Sequence, residues 1–410
     1  ELFFQLSGRT LASKPMKGTA ARGRTLAEDH AQADWLHHSA KNRAENVMIV
    51  DMIRNDLGRI AEIGSVRVPI LFEVERYPTV LQMTSTVTAQ LAAAQTDAPL
   101  TNIMTALFPC ASITGAPKVR TMQIIADLET TPRGVYTGCI GYVSPQCEAQ
   151  FNVAIRTVTI NRDMGQAEYG VGGGIVWDSD AADEWRECEI KTRVLTQLAH
   201  PCDLIESILW TPDGSYCLLD RHLARLAESA EYFNSPIDLP AIQDQLAALG
   251  ATLSPAAHKV RVSVTQRGHV SIAATPLSEI PLPPVMRVKL AAQPIDSGNV
   301  FLYHKTTRRD VYEAARATQS DCDDVILWNE RGEITESTIA NVVVGLNGKR
   351  YTSPIDCGLL PGTFRADLIE RGLIHERVIS KEELFAATHV WLINSVRGWL
   401  ECQLIMTNEK

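Results

Sequence analysis

No stretch of this 410-residue sequence holds the roughly 20 consecutive apolar residues that span a bilayer. Its opening residues, ELFFQLSGRT, also lack the basic start and small-residue cleavage site of a secretory leader. A cytoplasmic protein without a membrane partner is therefore expected. The nine cysteines never stand as a CxxC pair, which argues against a zinc site or a disulfide frame and leaves them as small buried hydrophobes. Positive charge is not in excess: 39 Lys and Arg face 48 Asp and Glu, a net charge of −9, which excludes a nucleic-acid surface. An anionic small substrate fits only where the positive charge is local. No internal repeat and no low-complexity tract is present.

A chain of this length with 45% hydrophobic residues exceeds one ordinary core and suits two or three packed units. The main boundary is placed at HPCD, 200–203, where a long helical pattern gives way to the strand pattern LIESILW. This divides the chain into 1–200 and 203–410. A proline-rich stretch, TPLSEIPLPP at 275–284, reads as an extended connection inside the second part, near a subdomain border. The chain opens on Glu1 and is strand-like at once, so an upstream part is expected outside this sequence.

In the first part, Lys17 sits in SKPMKGTAARG, which reads as a tight turn that places the lysine beside Gly18. In RAENVMIVDMIRNDLGRI, 43–60, Ile49, Ile53 and Leu57 recur every four residues as one apolar helical stripe, and Glu45 lies on it. Val194, Leu195 and Leu198 mark a second stripe that runs back through Glu187 and Glu184. Three inward carboxylates at helix ends would each pair with a buried Arg or cap its helix, or share a hard cation such as Mg²⁺. Between the helices lie FPCASITGAPKVRTM, GVYTGCIGYV, FNVAIRT and YGVGGGIVWDS, whose glycines let backbone amides approach an anion.

The order PMKGT, AENVMIVDMIRNDLGR, SITGAPKVR, YTGCIGY, FNVAIRT, GVGGGIVWDS and EWREC resembles the chorismate-utilising family, which includes anthranilate synthase and aminodeoxychorismate synthase component I. The resemblance implies Mg²⁺ on Glu45 and Glu187 with Glu184 nearby. It implies chorismate held by Arg156, Gly138, Gly172, Gly173 and Lys118. Lys17 stands where aminodeoxychorismate synthases carry a covalent nucleophile and anthranilate synthases a small residue. Gln82 points the same way, and an anthranilate synthase-like first half is the alternative. Asn42 replaces an acid usual one turn before Glu45. The resemblance covers the C-terminal part of a domain that is normally longer, so a partial β-sandwich with helices is expected. Ammonia would come from a separate glutamine amidotransferase subunit.

In the second part, Lys305 precedes a helix whose apolar side is read as Val311, Ala314 and Ala315. Glu336 falls in a β-branched run, and Gly362 and Thr363 open a helix whose free amides suit a phosphate. Arg221, His222 and Arg225 share one helical turn. A lysine, an acid and a phosphate cup are what pyridoxal 5′-phosphate needs. The order RHLARL, HKTTRR, ESTIAN, LPGTFR and INSVRGW resembles the class IV pyridoxal-phosphate enzymes, which include aminotransferases and aminodeoxychorismate lyase.

The resemblance implies a two-subdomain fold, usually dimeric, so a homodimer is expected within an α+β chain. It makes Lys305 the cofactor-linked lysine, Glu336 the partner of the pyridine nitrogen and Arg225 a phosphate ligand, with Thr363, the Phe364 amide and Ser395 completing the cup and Asn341 bracing the cofactor. Arg308 stands where several relatives carry asparagine. Joined to the first part, it implies amination of chorismate to 4-amino-4-deoxychorismate and elimination of pyruvate to leave 4-aminobenzoate, a folate precursor. An aminotransferase for ordinary amino acids beside an inactive remnant is the rival expectation, and a non-catalytic module is a second.

Overall fold

The computed structural model describes residues 1–146, 148–177, 179–196, 202–319 and 321–405, apart from the side chains of 190, 193 and 196. The chain divides into two units, one of Glu1–Gly23 with His30–Ala199 and one of Arg24–Asp29 with His200–Lys410. The expected first domain is thus interrupted at 24–29, which clusters with the second unit. His200 and Pro201 of the expected boundary, and Leu198 of the second stripe, lie outside the described residues.

The first unit is built on strands β1 (Leu2–Ser7), β2 (Thr10–Lys14), β3 (Met16–Ala21), β4 (Arg67–Arg76), β5 (Val80–Gln90), β6 (Cys139–Val143) and β7 (Ala149–Val153). They form one antiparallel sheet in the order β3-β5-β2-β1-β7-β6, with β4 also pairing β5. Strands β8 (Val158–Asn161) and β9 (Gln166–Tyr169) make a separate hairpin. The helix Ala40–Gly58 starts at Ser39, whose Oγ accepts from the Asn42 amide at 3.4 Å. It buries Ile49, Ile53 and Leu57, as the spacing predicts, against Phe3, Phe4 and Leu11 of the sheet. Each contributes roughly 1.5–3 kcal/mol. Central β5 is almost wholly buried although it carries Gln82, Thr84 and Ser85, so these polar groups must find partners inside.

The second unit begins with β10 (Leu204–Trp210), β11 (His258–Val264) and β12 (Val270–Pro276), an antiparallel sheet in unbroken register. Alternation turns Val260, Val262 and Val264 of β11 onto Leu223, Leu226 and Ala230 of the helix Leu219–Tyr232. The proline-rich stretch then leads to a second sheet: β13 (Met286–Leu290), β14 (Asp324–Trp328), β15 (Ile334–Ser337), β16 (Asn341–Leu346), β17 (Lys349–Thr352), β18 (His375–Glu376), β19 (His389–Asn394) and β20 (Gly398–Leu404). Its order is β15-β14-β13-β20-β19-β16-β17-β18, and β15 also pairs β16, so the first six close into a barrel. Val288, Ile326, Ile334, Val342 and Leu392 fill it. Among the described residues no helix is long and apolar enough to cross a membrane.

Candidate active sites

In the first unit, Lys17 is not in a tight turn. It lies in β3 at a bulge, where pairing with β5 slips between Met16↔Thr84 and Thr19↔Gln82. Gly18 there adopts φ +101°, and a Cβ would stand 3.1 Å from Asn42 Cβ, so the bulge needs glycine. The slipped carbonyls are held from inside: Asn46 Nδ2 donates to the Lys17 carbonyl at 3.3 Å and Gln82 Nε2 to that of Gly18 at 2.7 Å. Asn46 is fully buried and its Oδ1 accepts from Ser85 Oγ at 2.6 Å. The Lys17 ammonium is thereby aimed at Glu45, 3.4 Å away, with both side chains about one fifth exposed.

The glycine-rich loop after β9 closes on this pair. A Cβ on Gly174 would stand 2.5 Å from Lys17 Nζ, one on Gly173 2.7 Å from Glu184 Oε2, and one on Gly172 3.0 Å from the Tyr136 hydroxyl. Glu184 Oε2 is buried with no hydrogen-bond partner among the described residues. Gly138 packs against the Val135 carbonyl. Arg156, exposed and at φ +49°, lies close enough to Tyr77 and Tyr169 to act on both phenols.

Two expected members stand apart. Lys118 donates to Asp56 Oδ2 at 2.7 Å and to the Leu107 carbonyl at 3.2 Å. Asp56 is eleven positions along the helix from Glu45, roughly 16 Å at the helical rise. Glu187 is exposed and paired with Lys191 at 2.7 Å, and Val194 and Leu195 are exposed too, so the helix Ala181–Thr196 does not bury the face read from its periodicity. Among the described residues no three His, Cys, Asp or Glu side chains are grouped to hold a metal.

In the second unit the expected residues converge. Arg225, Lys305, Glu336, Asn341, Thr363, Phe364 and Ser395 all line one cavity of ≈ 580 Å³. Lys305 is fixed where its carbonyl accepts from the Ile205 amide of β10 at 2.9 Å. Burial, then the Arg225 guanidinium, push its ammonium down to about 8. Glu336 is 4% exposed on β15. Its Oε1 accepts from the Tyr312 hydroxyl at 2.7 Å and the Leu360 amide at 3.1 Å, yet burial still lifts it to about 7. Asn341 Nδ2 reaches the Leu360 carbonyl at 2.9 Å, tying β16 to the loop before the helix Thr363–Glu370.

Arg225 donates to Glu206 through Nε at 2.8 Å and Nη2 at 2.7 Å. His222 Nδ1 contacts the same carboxylate at 2.7 Å, and its Nε2 lies 3.2 Å from Thr363 Oγ1. Burial would lift Glu206, but Arg225 and His222 outweigh it and hold the carboxyl at about 2. Arg221, expected beside them, pairs outside with Glu370. Arg308 turns to Asp310 at 3.0 Å, and its neighbour Arg309 lines the cavity instead.

Glu206 and Tyr312 were missed by sequence reasoning. The only signal was a lone acid in an apolar strand for the first, and for the second an aromatic on a helix whose apolar side was read as Val311, Ala314 and Ala315. Ala314 is exposed and Tyr312 is the buried residue.

Residues 1–197 match the family model of the chorismate binding enzymes and residues 203–405 that of the class IV amino-transferases. Each half thus matches one of the two family models, the first the chorismate binding enzymes and the second the class IV amino-transferases. The first half is 49% identical over 188 residues to the aminodeoxychorismate synthase of Streptomyces griseus, covering 46% of this chain and 25% of that one. The second is 37% identical to a Mesorhizobium loti structure described as an amino-acid aminotransferase, covering 50% of this chain and 100% of that one, with a TM-score of 0.46. It is 24% identical to the 4-amino-4-deoxychorismate lyase of Pseudomonas aeruginosa, covering 49% and 82%, with a TM-score of 0.43. This chain spans about a quarter of the length of the Streptomyces relative.

Proposed function

We propose that this chain serves 4-aminobenzoate synthesis, its first half aminating chorismate to 4-amino-4-deoxychorismate and its second half eliminating pyruvate from that product. The observation that carries this reading is the cavity lined by both Lys305 and Glu336, in a chain whose other half matches the model of the chorismate binding enzymes. Pyridoxal phosphate, when bound, supplies an aldehyde for the substrate amine and an electron-withdrawing ring.

The chain's own residues would do the rest. Arg225, Thr363, the Phe364 amide at the open helix start and Ser395 bind the phosphate. Glu336, steadied by Tyr312 and Asn341, faces the ring nitrogen and keeps its proton in place. Lys305, with an amine already easier to deprotonate, takes the proton from the amine-bearing ring carbon. The enolpyruvyl group then leaves and the ring becomes aromatic. An aminotransferase would need an oxo-acid acceptor; this reaction needs none. Pyruvate and 4-aminobenzoate should therefore appear from supplied aminodeoxychorismate without any acceptor, and their absence would return the reading to an aminotransferase.

For the first half, Lys17 is the nucleophile toward the chorismate ring, with Arg156 and the glycines at 138, 172 and 173 around the substrate. We read the seven-stranded sheet as one layer of a sandwich. The unpartnered Glu184 oxygen supports Mg²⁺ held by Glu184 and Glu45 on the substrate carboxylate, and Glu187 joins them only by leaving Lys191. Ammonia would come from a glutamine amidotransferase partner, and the second half would work as a homodimer.

A further inference from the structure

The cavity of the second unit carries more positive charge than a cofactor phosphate uses. Arg225 is matched by Glu206, and Arg365 by Glu376 at 2.5 Å. Arg309 donates to the Thr338 carbonyl and lies over the Tyr312 ring, and Arg397 donates to the Ile280 carbonyl. Lys259 and Arg261 remain. Both line the cavity, and neither has a side-chain hydrogen bond or ion pair among the described residues. Their place follows from β11 itself: Val260, Val262 and Val264 face the helix Leu219–Tyr232, so positions 259 and 261 project from the opposite face. Among the described residues Glu336 is the only carboxylate in the cavity lining, and its hydrogen bonds are to Tyr312, Leu360 and Asn341.

We propose that Lys259 and Arg261 form a carboxylate subsite that selects amine substrates bearing an acid remote from the reacting amine. This rests on the lyase reading above and names the feature its substrate must present. An ordinary α-amino acid keeps its only obligatory carboxylate on the carbon that bears the amine. Aminodeoxychorismate carries one carboxylate across the ring from the amine and another on the enolpyruvyl arm. Two unpaired cations two residues apart on one strand face repel each other, and an anion between them removes the repulsion while gaining charge-assisted hydrogen bonds. In agreement, burial and then Arg261, Arg397 and Arg309 press the Lys259 ammonium below its ordinary range, a pressure that a bound carboxylate would relieve.

The test uses the chain loaded with pyridoxal phosphate and two calorimetric probes, 4-aminobenzoate and its neutral isostere 4-aminobenzamide. The acid should bind at least about 10-fold tighter than the amide, as a charge-assisted contact implies. Lys259→Met with Arg261→Met should erase that preference and leave pyridoxal phosphate affinity unchanged. Equal binding of the two probes to the wild-type chain, or a preference that survives in the double variant, overturns the subsite. A chain that keeps the preference but makes no pyruvate from aminodeoxychorismate retains the subsite and loses the lyase reading.

Discussion

Arg225 sets its Nε and Nη2 on the two carboxylate oxygens of Glu206 at 2.8 and 2.7 Å, a fork-to-fork pair almost wholly removed from solvent. Arg225 is thereby held by an acid on β10 while its Nη1 donates to the Pro361 carbonyl at 3.0 Å, just before the helix start at Gly362 and Thr363. Removing one partner would strand a buried charge. Glu206→Ala should cost about 3–5 kcal/mol of stability, and Glu206→Gln less, while both raise the pyridoxal phosphate concentration needed for half-saturation. Denaturant midpoints and cofactor titration measure this; an alanine variant as stable as the wild type would show the pair to be incidental.

Lys305 supplies a pH dependence. With its ammonium pushed down to about 8, roughly a tenth of the amine is neutral at pH 7, far more than for an ordinary lysine. Borohydride-trapped labelling by pyridoxal phosphate should therefore rise about tenfold per pH unit below pH 8 and level off above it. Peptide mapping should find the label on Lys305, and Lys305→Ala should abolish it. A profile still climbing steeply at pH 9.5 would place the reactive amine elsewhere.

Glu336 predicts a stability slope in the cofactor-free chain. Its carboxyl is raised to about 7 by burial, so between about 4.5 and 7 the folded state holds a proton that the unfolded state has released. Its contribution is full below that window and falls as pH climbs through it, by at most about 1.4 kcal/mol per pH unit. The wild type should lose stability relative to Glu336→Gln across these pH values. Parallel unfolding curves for the two chains at pH 4.5 and 7 would refute it. In the loaded chain, Glu336→Gln should slow pyruvate release, because a neutral amide cannot hold the ring-nitrogen proton.

Lys17→Ala should remove ammonia-dependent formation of aminodeoxychorismate from chorismate and spare pyruvate release from supplied aminodeoxychorismate. Asn46→Ala should reduce the first activity without touching the second, since it frees the Lys17 carbonyl and leaves the buried Ser85 hydroxyl without its acceptor. Product analysis by chromatography separates the two steps. Undiminished amination in Lys17→Ala would make this lysine a plain ion-pair partner of Glu45.

How much could be read from the chain alone follows the kind of signal each residue carried. Lys305, Glu336 and the Gly362–Thr363 helix start stand in short motifs whose residue types serve one chemistry, so their grouping was legible from the chain, and all of them line one cavity. Ile49, Ile53 and Leu57 were legible because a period near 3.6 forces them onto one face. The helix Ala181–Thr196 shows the limit of that argument: periodicity marks a stripe but not whether a neighbour covers it, and Val194, Leu195 and Glu187 are exposed. Lys118 stands apart from the Lys17–Glu45 pair, bonded to Asp56, because nearness in a motif order says nothing of distance in the fold.

By itself the sequence carried the resemblance to the two families, their order along the chain and the lysine and acid that line the second candidate site. Tertiary structure alone decided which ordinary residues stand at the candidate sites. Glu206 is one acid in an apolar strand, Tyr312 one aromatic on a short helix and Asn46 one amide beside a hydrophobic stripe. Lys259 and Arg261 are two cations on the open face of β11. Glu206, Tyr312 and Asn46 each acquire their meaning from a group distant in sequence, since burial makes a polar side chain answer to whatever lies within hydrogen-bond reach, and only the packing of strands and helices sets that neighbour.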